Sequence, residues 1–215
     1  MTKRSGTRQW FKRHTNDPFV RQARKAGYRS RAAYKLIEMD QRYRIFRKGQ
    51  VVIDLGGAPG GWSQVATEKV GKTGQVIAID LLPMQPMEGV SIRQGDIADP
   101  SIHDWIEREL KKPCGVVISD MAPNITGIRD RDQANAVRLW QMALQFALQY
   151  LGKDGAFIIK VFQGDGFEPF LNQLREAFKS VTVHKPKASR TASREVYFMA
   201  KNPKFRPNMV KKSDF

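Results

Sequence analysis

From residue 50 onward, short apolar runs rich in β-branched residues alternate with longer amphipathic segments. That alternation predicts an α/β fold, a parallel sheet with helices on both faces. Strands are expected at 51–55, 75–79, 90–94, 115–119, 156–161, 181–184 and 195–200, making seven. Helical patterns occupy 61–70, 100–111, 131–151 and 168–178, and a further helix at 31–43 precedes the first strand. The loop between the last two strands, rich in Lys, Ser and Arg, is too short for a crossover helix, so that pair is expected to be antiparallel. No internal repeat or low-complexity block interrupts the pattern.

At 215 residues and 41% hydrophobic content, the chain suits one substantial core with appended tails. The expected division is a basic N-terminal arm at 1–30, a catalytic domain at 31–201 and a basic C-terminal tail at 202–215, irregular around Pro203 and Pro207. Thirty-seven Lys and Arg against twenty-one Asp and Glu give a formal net charge of +16. A polyanion is the natural partner of such a surface. An anionic membrane competes for that role, but no apolar run approaches the roughly 18 residues of a spanning helix. Nucleic acid is favoured. Lys3, Arg4, Arg8, Lys12 and Arg13 crowd one end, and Lys201, Lys204, Arg206, Lys211 and Lys212 the other. Both sets read as RNA-contacting arms or as solvated termini that aid solubility.

Cys114 is the single cysteine, which excludes an intrachain disulfide or thiolate metal cluster. His14, His103 and His184 lack metal-ligand spacing. The expectation is a cytoplasmic monomer that uses no metal and engages no membrane.

The first strand runs into Asp54-Leu-Gly-Gly-Ala-Pro-Gly-Gly-Trp62, a glycine turn between strand and helix, where doubly wound folds bind nucleotides. As a dinucleotide fingerprint, Gly56-x-Ala58-x-x-Gly61 lacks the middle glycine that makes room for a pyrophosphate. Gly71-Lys72-Thr73 fails as a phosphate loop because position 66 is Ala where Gly is required. Carboxylates also recur at successive strand ends, at Asp54, Asp80, Asp96 and Asp120, and all four are expected to line one crevice. Asp80, about 20 residues past the glycine turn, suits a ribose diol. Concentrated negative charge in so basic a protein calls for a cationic ligand rich in donors and free of phosphate. S-adenosylmethionine has that chemistry, and NAD would be repelled. Asp residues that merely cap helices and turns are the plainer alternative.

Lys160 ends an apolar strand beside the expected position of Asp120. A desolvated lysine can lose its proton near neutral pH and serve as a general base; a snorkelling side chain is the plainer reading. Lys35 and Glu195 stand out less, and by composition alone read as surface charges.

Six motifs taken together resemble the FtsJ/RrmJ family of ribose methyltransferases. They are Arg29-Ser-Arg-Ala-x-x-Lys35, the stretch from Asp54 to Gln64, Asp80-Leu-Leu-Pro-Met84, Ser119-Asp-Met-Ala-Pro-Asn124, Lys160-Val-Phe-Gln-Gly164 and Ser193-Arg-Glu-Val-Tyr197. The resemblance spans nearly the whole chain. It implies a Rossmann-like S-adenosylmethionine methyltransferase fold and a catalytic tetrad at Lys35, Asp120, Lys160 and Glu195, with Lys160 as proton acceptor. It places the cofactor on Gly60, Trp62, Asp80, Asp96 and Asp120. It also implies a substrate, a uridine 2′-hydroxyl of 23S rRNA on the large ribosomal subunit. Relatives with the same tetrad modify tRNA or mRNA caps, so another RNA is an alternative, as is a non-catalytic RNA-binding assembly factor. A nicotinamide-dependent reductase would need a Tyr-x-x-x-Lys pair, and Tyr150-Leu-Gly-Lys153 has the wrong spacing.

Overall fold

The apolar runs do become strands and the amphipathic stretches helices in a computed structural model, which describes residues 17–190 and 192–204. In chain order the elements are α1 (Pro18–Lys25), α2 (Ala33–Tyr43), β1 (Val51–Leu55), α3 (Gly61–Val70), β2 (Gln75–Asp80), β3 (Val90–Gln94) and α4 (Pro100–Glu109). Then come β4 (Cys114–Ser119), α5 (Arg129–Tyr150), β5 (Leu151–Phe162), α6 (Phe167–Ala177), β6 (Phe178–His184) and β7 (Glu195–Pro203). The strands form one sheet in the order β3-β2-β1-β4-β5-β7-β6, in which β7 alone runs opposite to the other six. The expected antiparallel terminal pair is therefore present.

Side chains alternate across each strand, and the alternation divides the core in two. Val52, Val76, Ile118, Ile158 and Tyr197 pack against α2 and α3. Ile53, Ile77, Val117, Phe157 and Phe198 face the opposite way, toward α4, α5 and α6. Because β1 and β4 are neighbours while the chain winds away from them in opposite directions, a crevice opens above their carboxyl ends.

Several boundaries differ from the sequence expectation. Helix α1 lies within the stretch assigned to the basic arm. The Asp17 carboxylate caps it by accepting from Phe19 N at 3.0 Å, Pro18 occupies its first turn, and it buries Val20 and Ala23. Two buried residues in eight leave too thin a stripe to show among so many charges. Strand β5 starts at Leu151 instead of 156, because Cys114 pairs with Leu151 ahead of a register shift. The polar sequence Gly152-Lys-Asp-Gly155 hides that extension. Strand β6 follows α6 without a connecting loop, its exposed positions marking an edge strand. Strand β7 continues to Pro203, which pairs with Phe178.

Two lysines offered as contacts of the C-terminal arm make hydrogen bonds within the fold. Lys201 Nζ donates to Tyr43 O at 2.8 Å and Lys204 Nζ to Arg175 O at 2.7 Å. The remaining arm cations, Lys3, Arg4, Arg8, Lys12, Arg13, Arg206, Lys211 and Lys212, lie outside the described residues, as does His14. No helix among the described residues is long and apolar enough to cross a membrane.

Candidate active site

Register alone brings three of the expected polar residues together. Ser119 is paired with Ile159 across the parallel β4–β5 ladder, so Asp120 emerges beside Lys160. Lys160 in turn lies opposite Tyr197 on β7, and Glu195 is two residues earlier on the same face of that strand. These side chains point to the face that α2 covers, and α2 contributes Lys35.

The result is a continuous polar chain. Glu195 Oε1 is 2.7 Å from Lys35 Nζ, which donates to the Tyr197 hydroxyl at 3.0 Å. That hydroxyl donates to Asp120 Oδ1 at 2.7 Å, and Lys160 Nζ lies 3.2 Å from the same oxygen while also donating to the Asp120 backbone carbonyl. Two ammonium groups and two carboxylates thus balance charge at a largely buried spot, Lys35 being 8% exposed and Lys160 7%. The plainer sequence readings make Lys160 a snorkelling side chain and Lys35 a surface charge. Both are instead buried, because β5 runs two residues past Lys160 and α2 lies flat on the sheet.

Tyr197, which links Lys35 to Asp120, is the member of this chain that sequence reasoning did not single out. Its strand alternation with Glu195 was the available signal. Burial, and then Asp120 and Glu195, push its hydroxyl well above the ordinary tyrosine range, so it stays neutral and able to donate. Burial acts to raise the Asp120 carboxyl too, but Lys160, Lys35 and the hydrogen bonds from Tyr197 and Lys160 outweigh it. Asp120 is therefore held below the usual carboxylate range, as an anion between the two lysines.

The glycine turn sits beside this chain, with positive φ at Gly56 (74°) and Gly60 (115°), torsions that glycine adopts without strain. Gly60 caps α3. The Trp62 indole is buried and donates to Ala32 O at 2.8 Å, so this residue faces the crevice only through its backbone. Asp80 Oδ2 accepts from Ala58 N at 2.9 Å and its Oδ1 from Leu82 N at 2.8 Å, bracing the turn against the end of β2. Asp96 Oδ1 accepts from Ala98 N at 2.9 Å. Arg29 ties the following loop down, donating to Gln85 O at 2.8 Å and to Pro86 O at 2.7 Å.

Asp54 departs from expectation. It does not line the open crevice but lies fully buried beneath the turn, accepting from Ser63 Oγ at 2.6 Å through Oδ2. Its Oδ1 is buried with no hydrogen-bond partner among the described residues. A Cβ added at position 57 would stand 3.2 Å from Ala78 Cβ and Met84 Sδ and 3.3 Å from Asp54 Oδ2, so glycine lets the turn lie this close over Asp54 and the end of β2. Acceptors at 80, 96 and 120, none of them fully buried, fit a cationic ligand rich in donors, as S-adenosylmethionine is, and would repel a phosphate.

Burial pushes the Asp54 carboxyl up to about 7, with Asp120 and Asp80 adding to the rise and the Ser63 hydrogen bond opposing it. In the unfolded chain it ionises near 3.8. Between those values the folded protein keeps a proton that the unfolded chain has released, so stability falls as pH rises through the window and levels off above it. Urea unfolding should show the wild type losing about 3 kcal/mol more between pH 5 and pH 8 than Asp54→Asn, in which that proton linkage is gone. Parallel pH profiles for the two proteins would show that Asp54 does not titrate there.

A protein-family model described as FtsJ-like methyltransferase matches residues 28–203. The chain is 48% identical over 195 residues to a Thiobacillus denitrificans protein named ribosomal RNA large subunit methyltransferase E, covering 90% of this chain and 89% of that protein. A protein of the same name from Halorhodospira halophila is 51% identical over 192 residues, covering 89% and 91% respectively. Among solved structures, a ribosomal RNA methyltransferase from Plasmodium falciparum superposes with a TM-score of 0.74 at 33% identity, over 82% of this chain and 98% of that one.

Proposed function

The chain belongs to the FtsJ-like methyltransferase family, and from that premise we propose that it methylates the ribose 2′-hydroxyl of a uridine in the 23S rRNA of the large ribosomal subunit. The family uses S-adenosylmethionine, whose sulfonium supplies an electrophilic methyl group when bound. The observation that carries the reading is the buried Lys160–Asp120 pair, 3.2 Å apart beside the glycine turn.

Each side chain then has a task. Asp80, Asp96 and Asp120, with the backbone at Gly60 and Trp62, hold the cofactor. Lys160, paired with Asp120 as an ammonium in the resting site, must first release one proton so that Nζ can accept the hydroxyl proton during methyl transfer. The Asp120 carboxylate and carbonyl fix where Nζ points. Lys35, braced by Glu195 and Tyr197, positions the target ribose, and Glu195 balances its charge. A formal charge of +16 supports a polyanionic substrate, and the names carried by the relatives support large-subunit rRNA as that polyanion.

Mapping 2′-O-methyl groups across rRNA from cells with and without the protein tests the assignment. One uridine of the 23S species should lose its mark in the deletion strain and regain it on complementation. An unchanged rRNA map, or a lost mark in tRNA alone, would overturn the substrate.

A further inference from the structure

Between the site carboxylate Asp120 and helix α5 runs a loop that exposes two large apolar side chains. Ile125 is 72% exposed and Ile128 59%, and neither joins the packed clusters on the sheet. Side chains that gain nothing from burial are normally found on loosely held turns, whereas this turn is stapled. Asp132 Oδ1 accepts from both Thr126 N and Thr126 Oγ1 at 2.7 Å, and its Oδ2 accepts from Gly127 N at 3.0 Å. Ile128 N donates back to Thr126 Oγ1 at 3.3 Å, and Asp132 N to Ile128 O at 2.9 Å. Gly127, at φ +86° with nothing within 4 Å of an added Cβ, turns the chain so that both isoleucines flank it.

Arg129 and Arg131, both exposed, follow at once in the first turn of α5, where they alternate with the exposed Asp130 and with Asp132, whose carboxylate is taken up by the staple. An apolar tip with cations behind it is complementary to stacked bases bordered by phosphates, and it begins five residues from Asp120. A 2′-hydroxyl inside a stacked helix cannot reach Lys160, buried as it is, unless the nucleotide leaves its stack.

Building on the proposed RNA substrate, we infer that Ile125 and Ile128 form a rigid wedge that inserts between bases next to the target nucleotide and pries it toward Asp120 and Lys160. Asp132 is the positioning residue that holds the wedge in shape. The wedge acts on structured RNA, since a nucleotide already unstacked has nothing to be separated from.

The test uses large ribosomal subunits purified from cells lacking the protein, comparing wild type with the I125S/I128S double variant. Both substituted side chains are exposed, so the fold should be kept. Single-turnover methylation should fall about 10- to 100-fold, the scale of losing help with unstacking, while subunit affinity is retained. With S-adenosylhomocysteine bound, wild type should raise 2′-hydroxyl acylation of the nucleotides flanking the methylated site, and the double variant should not. An unchanged rate, an identical acylation pattern, or a rate loss traced wholly to weaker subunit binding would each overturn the wedge. Failure of wild type to methylate the subunits would overturn the RNA substrate itself, and it would appear before any variant was compared.

Discussion

Lys160→Ala is expected to slow methyl transfer by about 10²–10⁴-fold, the usual effect of losing a general base, while S-adenosylmethionine affinity measured by calorimetry is retained. The separation follows from geometry. Lys160 reaches the site from β5 and touches Asp120, whereas the glycine turn proposed to receive the cofactor is braced by Asp80 and by Arg29, which donates to Pro59 O at 3.3 Å. Removing the ammonium leaves Asp120 with Tyr197 as its remaining side-chain donor, so the variant should also be less stable, by up to about 3–5 kcal/mol. Lys160→Met, which keeps the packing of the stem, separates that structural loss from the chemical one. Near-normal single-turnover rates in either variant would remove Lys160 from the chemistry.

Asp120→Asn should do damage of a different kind. Asparagine retains an acceptor for the Tyr197 hydroxyl but withdraws the negative charge from between Lys160 and Lys35. Both lysines then lose the group that orients them, and turnover is expected to drop by about 10²-fold or more, by the same reckoning as for a misaligned base. Because the carboxylate also stands at the cofactor crevice, loss of a charge-assisted hydrogen bond should weaken S-adenosylmethionine by about tenfold or more. The pair of variants forms a split test: Lys160→Ala affects turnover alone, Asp120→Asn affects turnover and cofactor affinity together. Undiminished cofactor affinity in Asp120→Asn would confine the residue to aligning Lys160. Undiminished turnover would dismiss the polar chain as the working site.

The strands on the page explain how far the pattern of residues could be read. Val51–Leu55 and Val90–Gln94 have the expected ends because turn-forming residues bound both apolar runs. Strand β5 was seen at only its apolar half, since its first residues are polar and are held in the sheet by pairing with Cys114. Helix α1 was missed for a similar reason: its contribution is a cap at Asp17 and two buried residues, features that acquire meaning only once α2 lies beside it. The carboxylates show the same limit more sharply. Asp54 and Asp80 both come near the carboxyl end of a strand, yet Asp54, paired with Ala78, is sealed under the glycine turn, while Asp80, two residues further along the register, braces it from the side.

What the chain determines by itself is local and repetitive. The period of apolar residues sets strand or helix, glycine sets the turn after β1, net charge sets the class of partner, and six short motifs in order set the family. The tertiary structure alone decided that Lys35, 162 residues from Tyr197 in sequence, donates to its hydroxyl, and that this hydroxyl passes the connection to Asp120. It also decided that both site lysines are buried and that Asp54 holds a proton near neutrality. The physical reason is that periodicity depends on side chains a few positions apart. Burial and electrostatic coupling depend instead on strand order and register, which no short window of sequence contains.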